Sequence, residues 1–352
     1  MKQYRNILVP ALVAPALVAF ATPAAELAFR PDAGATVTLT IEQTSEVTLD
    51  DMSIAVNGQE MDPAMMGGME MTMSSTQTVT ITDEFGAVED GRPTKVKRTF
   101  DSLGGSTSMS MSNDMIGDTE TDAESASELE GSTVKFEWNA ENGEYDVSFD
   151  GDEGDEELLE GLEADLTLRA FLPDSEVSEG DSWEVDPEAM RSVLAPGGSL
   201  KLEPEETEEA GMMGAGPTPS PDQFLQDMEG SINATFKGMR DEDGVQVAVI
   251  AVEFNVASAA DLTDMLADAM SENDMGMEID IEAFDMEFSY EGEGEIHWNV
   301  QAGVVHGCEI SGEVELVIDQ AMNMGGTPQG DMSMEQSMTM AGTQSVSISP
   351  GE

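Results

Sequence analysis

ATVTLTIEQTSEVTLD, residues 35–50, places Val37, Leu39 and Ile41 at every second position with threonine and glutamate between them. Successive side chains of a strand point to opposite faces, so this pattern buries one face and wets the other. Its β-branched residues also suit an extended backbone. Outward from this stretch the signal recurs. Residues 52–56 read as a shorter strand closed by an Asn57-Gly58 turn, and residues 69–82, MEMTMSSTQTVTIT, return to alternation. Residues 83–91 read as a turn region, 95–100 as a strand of unusual charge, 106–112 as another alternating piece, and the acidic, Ser-rich 116–131 as a loop. Residues 134–138 and 145–149 form a predicted hairpin across Asn142-Gly143.

Residues 155–168 change period. Leu158, Leu159, Leu162 and Leu166 fall at helical spacing behind Asp155, Glu156 and Glu157, which suit a helix N-terminus. FLPDSEVSEGDSWEV, residues 171–185, then separates two runs of strands. Pro173 stops what precedes it, Val177 is the one apolar residue of an acidic connector, and Gly180-Asp181 make a turn into a strand that carries Trp183. Asp186 and Pro187 suit the start of a short helix ending near Leu194. Residues 203–222, acidic with Pro204, Pro217, Pro219 and Pro221, read as a linker.

Strands are predicted over 231–236 and 245–256; the second, VQVAVIAVEFNV, is apolar enough to be buried on both faces. A helix over 261–270 puts Leu262, Met265, Leu266 and Ala269 on one face. Two or three long strands follow within 278–319, and two alternating pieces within 332–348. The expected fold is mainly β: a long antiparallel curved sheet or half-barrel packed on one or two short helices. An N-terminal β-rich part spans 26–200 and a C-terminal part 223–352, read as one sheet continuous with the first.

Lys2 and Arg5 precede an apolar stretch over 7–21, and small residues follow at Ala19-Phe20-Ala21 and Pro23-Ala24-Ala25. That is a secretory leader over 1–21, too short and too interrupted by Pro10 and Pro15 to be read as a membrane span. No later stretch has spanning length, so the mature chain is expected to be exported to the periplasm or beyond without a transmembrane segment. Cys308 is the only cysteine, which leaves no internal disulfide and no thiol for lipid attachment near the leader. The 73 acidic against 13 basic residues give a net charge of -60, which repels nucleic acid and anionic membrane faces. Self-repulsion on this scale is screened over about 8 Å at physiological salt. A saline or cation-rich setting is therefore expected, and the unfolding midpoint should rise between low and molar NaCl; equal midpoints would refute this.

Leu172-Pro173, Val177 and Gly180-Asp181-Ser182-Trp183 resemble a signature of uncharacterised exported bacterial β-rich proteins. Gly91-Arg92-Pro93-Thr94-Lys95, Arg98-Thr99-Phe100 and Ser311-Gly312-Glu313-Val314 look like further parts of such proteins. They are similar in outline to the half-barrel of periplasmic lipoprotein carriers. The resemblance implies long antiparallel strands curled around a helix and brings no catalytic residues. The acidic linker and the lack of an anchoring cysteine depart from it and put a direct membrane tether in doubt.

Gly180-Asp181-Ser182 matches the start of a GDS hydrolase motif, but Ser178 and Glu179 precede it where a buried strand belongs, and neither His297 nor His306 has an aspartate three residues earlier. No G-x-S-x-G elbow occurs. The chain therefore reads as a non-enzyme with no cofactor.

Its 27 methionines are the unusual feature. Met69, Met71 and Met73 alternate, as do Met109 and Met111, and Met332, Met334, Met338 and Met340 do so with a gap. In a strand this spacing places every thioether on one face, where it serves as apolar filling, as an adaptable surface for a lipid or other apolar ligand, or as a ligand set for soft Cu(I). The apolar-ligand reading uses Met69, Met71, Met73, Met109, Met111, Met334, Met338 and Met340. His297, His306 and Cys308 fall within twelve residues. A two-residue loop at Ala302-Gly303 would put all three on one face as a candidate metal site; a loop of Gln301-Ala302-Gly303 with a bulge would send His297 to the other face. DGDEGDEE, residues 150–157, departs from an EF-hand and reads as a solvated loop. Arg92, Lys95, Lys97 and Arg98 read as cross-strand partners of acidic neighbours or as a docking patch for an acidic partner.

Three functions are expected in turn: an exported envelope protein carrying an apolar ligand on a Met-rich concave face, a structural or protein-interaction module of the envelope, and a soft-metal binder.

Overall fold

The computed structural model describes residues 24–61, 68–89, 91–113, 117–151, 154–204, 221–272, 278–325 and 332–351. The expected leader and residues 205–220 of the expected linker lie outside them.

The N-terminal strands are β1 (Thr36–Val56), β2 (Gln59–Glu60), β3 (Glu70–Phe85), β4 (Val88–Glu89), β5 (Arg92–Pro93), β6 (Lys95–Asn113), β7 (Gly117–Ala126), β8 (Thr133–Asn139) and β9 (Glu144–Phe149). Then follow β10 (Ser182–Val185), a helical turn α1 (Arg191–Leu194), β11 (Glu203–Pro204) and α2 (Pro221–Phe224). The chain closes with β12 (Glu229–Glu242), β13 (Val245–Asp261), helix α3 (Thr263–Glu272), β14 (Glu278–Asn299), β15 (Val304–Gly325) and β16 (Met332–Pro350).

All but β4 and β5 belong to one 14-stranded sheet, in the order β10-β12-β13-β14-β15-β16-β1-β3-β6-β7-β11, with β2 on β1 and the β8–β9 hairpin on β6. The mainly β, antiparallel architecture with short helices is the one the alternation predicts, and the sheet is not closed into a barrel. β16 pairs with β1 from Leu39–Pro350 to Val56–Met334, so the two halves of the chain share one sheet. Pieces that read separately are single strands: residues 95–112 run through β6, and residues 332–348 through β16. Asn57 and Gly58 both take positive φ, 52° and 71°, as the predicted turn requires.

Two expectations are corrected. Residues 116–131 contain β7, in register with β6 from Gly104–Ala126 to Asn113–Gly117. GDTETDAESA has no large apolar residue: outside β6 it is paired only at Ala126 and Ser125, by the two-residue β11, so most of its length is an open edge where charges discourage further pairing. Residues 155–168 are not an α-helix. A single 3-10 turn, capped by the Asp155 carboxylate, spans Glu156–Leu159, and Gly161 at φ 76° ends it. Leu162, Leu166 and Leu168 are buried from an irregular segment instead. The reason is Arg98, whose guanidinium takes the carbonyls of Glu163 (2.7 Å) and Ala164 (3.0 Å), groups a helix would bond internally. The second expected helix forms as α3, where the Asp261 carboxylate caps Thr263 N–H at 3.0 Å and Leu262 and Leu266 are buried.

Every long strand except β7 has an apolar face, and β13 is buried on both faces over Val247–Ile250. On the part of the sheet near the β14–β15 turn that face is fully buried, from Phe236 on β12 through Ile250, Ile296, Ile310, Ile348, Ile41 and Ile81 to Phe100 on β6. Leu27, Phe29, Leu166, Phe171, Met190, Val193 and Leu200 join the same core from the connecting segments and short helical turns. Trp183 is only half-buried and donates through Nε1 to the Phe171 carbonyl at 3.0 Å, tying the central stretch to itself. Gly292 faces Gly312 in register, and a Cβ on either would run into the neighbouring strand's carbonyl. Close strand approach selects glycine there.

The basic cluster pairs as cross-strand chemistry predicts. Lys95 meets Glu137 at 2.6 Å, Lys97 meets Asp150, and Arg92 stacks over Trp138 at 4.1 Å. The Lys97 ammonium holds the Asp150 carboxyl below its usual range through their hydrogen bond, so this loop residue is spoken for by lysine. Arg98 is fully buried against Asp83 in a two-pronged pair, Nε–Oδ1 and Nη2–Oδ2 both 2.8 Å.

Candidate functional site

The two faces of the sheet differ in chemistry. The polar face carries carboxylates in direct opposition: Glu253 with Glu293, Glu291 with Glu313, Glu295 with Glu309, and Asp261 with Asp285 with Asp319. Like charges in such positions destabilise a sheet, which locates the expected salt dependence on this face. An open groove of about 1020 Å3 lies here and is lined by Glu46, Glu253, Glu291, Glu293 and Glu313 with serines, threonines and asparagines from β12 round to β3. A second of about 630 Å3 adds Glu42, Glu295, Glu309 and Lys237. These two hollows are acidic, whereas the methionine pattern predicts a concave thioether face.

The methionines sit on the opposite, apolar face, toward its far end from the β14–β15 turn. Register brings them together across strands. Met71 lies opposite Met111 and Met73 opposite Met109 between β3 and β6. Met52 lies opposite Met338, Leu49 opposite Met340 and Val56 opposite Met334 between β1 and β16. Met340 is buried; Met69, Met71, Met73, Met109, Met111, Met334 and Met338 are half-buried. Seven of the eight candidates therefore share one face, in two groups separated by β1, while Met69 lies just before β3 and outside the ladder. Met322 and Met324 of β15, absent from the sequence set, face Met334 and Met332. Their M-x-M spacing was the available signal.

The histidines and the cysteine separate. The β14–β15 turn uses Val300–Gly303: Asn299 pairs with Val304, the Asn299 side chain accepts from Gln301 and Ala302 N–H, and Gly303 takes φ 67°. The register then slips between His297 and Trp298, leaving His306 as the extra residue. Both histidines reach the Glu242 carboxylate, at 3.3 Å from His297 Nδ1 and 3.8 Å from His306 Nε2. Arg240 occupies the same space, its Nη2 2.8 Å from His297 Nε2 and 2.6 Å from Glu242 Oε1. Cys308 points to the other side, opposite Ile296 and Ile348, and is buried. The three are not brought together as one metal centre. Among the described residues no cluster of three or more His, Cys, Asp or Glu could hold a metal ion.

Burial, and then the neighbouring Glu309 charge, push the Cys308 thiol up to about 12 from 9.0. Burial, with Cys308 nearby, also raises the Tyr290 phenol above its usual 10.0. Both groups are held protonated when folded and ionise more easily when unfolded. The stability they contribute is intact below about pH 9 and is lost as pH rises toward about 12. Chemical-denaturation midpoints should fall through that window, and Cys308→Ala with Tyr290→Phe should flatten the fall. Native Cys308 should resist thiol reagents at neutral pH until urea unfolds the chain.

Ser182 lies on the edge strand β10, with its hydroxyl bonded to that of Thr235 on β12 at 2.9 Å. No helix among the described residues is long and apolar enough to cross a membrane. Compared with known protein families and with curated proteins, the chain matches none.

Proposed function

We propose that this chain is an exported, non-enzymatic envelope protein that holds an apolar ligand, in the first instance an acyl chain, against the Met-rich half of its apolar sheet face. One observation carries the reading. The apolar face stays half-exposed at Met52, Ile54, Met71, Met109, Leu316, Ile318 and Met338, where the same face nearer the β14–β15 turn is sealed. Unbranched thioether side chains adapt to a partner of variable shape. The basic, then apolar, leader pattern supports export, and the likeness to lipoprotein-carrier half-barrels is in keeping with an apolar cargo.

A second reading, docking of another envelope protein, is favoured by one feature. The apolar-lined cavity between Val37, Leu39, Ile81, Leu166 and Val305 holds only about 10 Å3. An acyl chain would therefore lie along the sheet surface.

Native mass spectrometry of the mature protein from its own source, before and after organic extraction, separates the two. An extractable adduct of lipid mass supports the carrier. A bare protein mass, together with no binding of a fluorescent fatty acid, overturns it in favour of a protein partner. Met334→Ser with Met338→Ser should weaken fatty-acid binding at least about tenfold, since each buried side chain of this size contributes about 1.5–3 kcal/mol.

A further inference from the structure

We propose that the apolar face carries two thioether sites for a soft monovalent ion, Cu(I) or its redox-inert analogue Ag(I), each built from four methionines. The first joins Met71-Thr72-Met73 of β3 to Met109-Ser110-Met111 of β6, with Met71 opposite Met111 and Met73 opposite Met109. The second joins Met322-Asn323-Met324 of β15 to Met332-Ser333-Met334 of β16, with Met322 opposite Met334 and Met324 opposite Met332. In both, two M-x-M segments face each other in direct antiparallel register.

The geometry suits a soft ion. Directly opposed Cβ atoms in an antiparallel pair lie about 4.5–5.5 Å apart. Alternate residues on one strand repeat at about 6.4–6.8 Å. Four flexible thioethers therefore cover a patch small enough for two or three sulfurs to close on one ion. Thioether sulfur selects Cu(I) over hard or borderline divalent ions.

Packing alone does not account for the choice of residue. On the sealed part of the same face the chain uses valine, isoleucine, leucine and phenylalanine, which suit strands better. In the two quartets it uses methionine at every apolar position, all eight half-buried, where an exposed thioether is open to oxidation. Thr119 and Thr121 of β7, the residues opposite Met111 and Met109 on the far side of β6, add no competing thiol or imidazole.

The sites share the face of the proposed apolar-ligand surface but do not depend on that reading. Leucine in place of methionine removes the sulfur and keeps the apolar surface, so the two ideas fail separately. The test is titration of the full mature chain, in a Cys308→Ala, His297→Ala, His306→Ala background, with Ag(I) by calorimetry. Anaerobic Cu(I), held by ascorbate and a competing chelator, provides the second titration. About two ions per chain should bind, about one after Met71→Leu with Met73→Leu, and none when Met322→Leu and Met324→Leu are added. Zn(II) should not displace them, X-ray absorption of the Cu(I) form should show a sulfur-only shell, and fatty-acid binding should persist in the leucine variants. Uptake unchanged by the leucine substitutions, or no uptake by the unsubstituted quartets, overturns the proposal. Matching circular dichroism spectra, required of each variant, keep misfolding from passing as lost binding.

Discussion

Replacing Arg98 with alanine should lower the stability of this protein by about 3–5 kcal/mol, the cost of leaving a buried charge without its partner. Arg98 has no exposed side-chain surface and Asp83 only 7 %. Their two-pronged contact bridges β6 and β3, since Asp83 and Arg98 are register partners. The other two bonds of the guanidinium fix the carbonyls of Glu163 and Ala164, and Phe136 lies under it at 5.1 Å. One side chain thus fastens the irregular 160–171 segment to the sheet that supports it. Arg98→Ala strands the Asp83 carboxylate and two carbonyls together. Arg98→Met with Asp83→Leu removes both charges and leaves only the carbonyls, at about 1–3 kcal/mol each. The double variant should therefore be no less stable than the single one. Urea unfolding of both decides it: a single-variant loss below about 1 kcal/mol would show that the pair does not hold this segment.

The same residue shows where the sequence runs out. Leu158, Leu159, Leu162 and Leu166 have helical spacing, and local propensity favours a helix there. Tertiary bonding from Arg98, distant in sequence, takes the carbonyls and wins. Alternation was enough to read β1, β3, β12, β14 to β16 and the β8–β9 hairpin, because one face of each is buried and the period is two, while β13 was legible from its continuous apolar run, buried on both faces over Val247–Ile250. β7 escaped because a strand left open to water along most of its length needs no apolar side chain. Register was not legible, and the candidate site depends on register. M-x-M spacing put the methionines of one strand on one face, but only pairing of β3 with β6 and β15 with β16 brings thioethers opposite each other. Likewise the histidine–cysteine cluster turned on one loop. A four-residue turn followed by a bulge leaves His297 on the face away from Cys308, as the bulged alternative expects, while His306, the extra residue of the bulge, joins His297 at Glu242 instead of staying with Cys308.

That turn is anchored by Trp298, and Trp298→Ala should cost about 3–5 kcal/mol, as large aromatic truncations in a packed core do. Trp298 is fully buried, opposite Ala248 on β13 and Val305 on β15, where small and β-branched partners leave room for the indole. It directly follows His297 at the bulge, so the indole fills the core at the point where the ladder is interrupted. Its Nε1–H finds no hydrogen-bond partner among the described residues. A buried donor without a partner costs about 1–3 kcal/mol, which the ring's apolar burial must outweigh. Phenylalanine removes that donor and keeps part of the apolar contact, leaving a smaller cavity than alanine does, so Trp298→Phe should lose less than Trp298→Ala. Thermal unfolding of the two variants by far-UV circular dichroism makes the comparison. Equal losses would mean that the indole N–H is bonded, for instance to a buried water, and that the turn is held by a polar contact as well as by the ring.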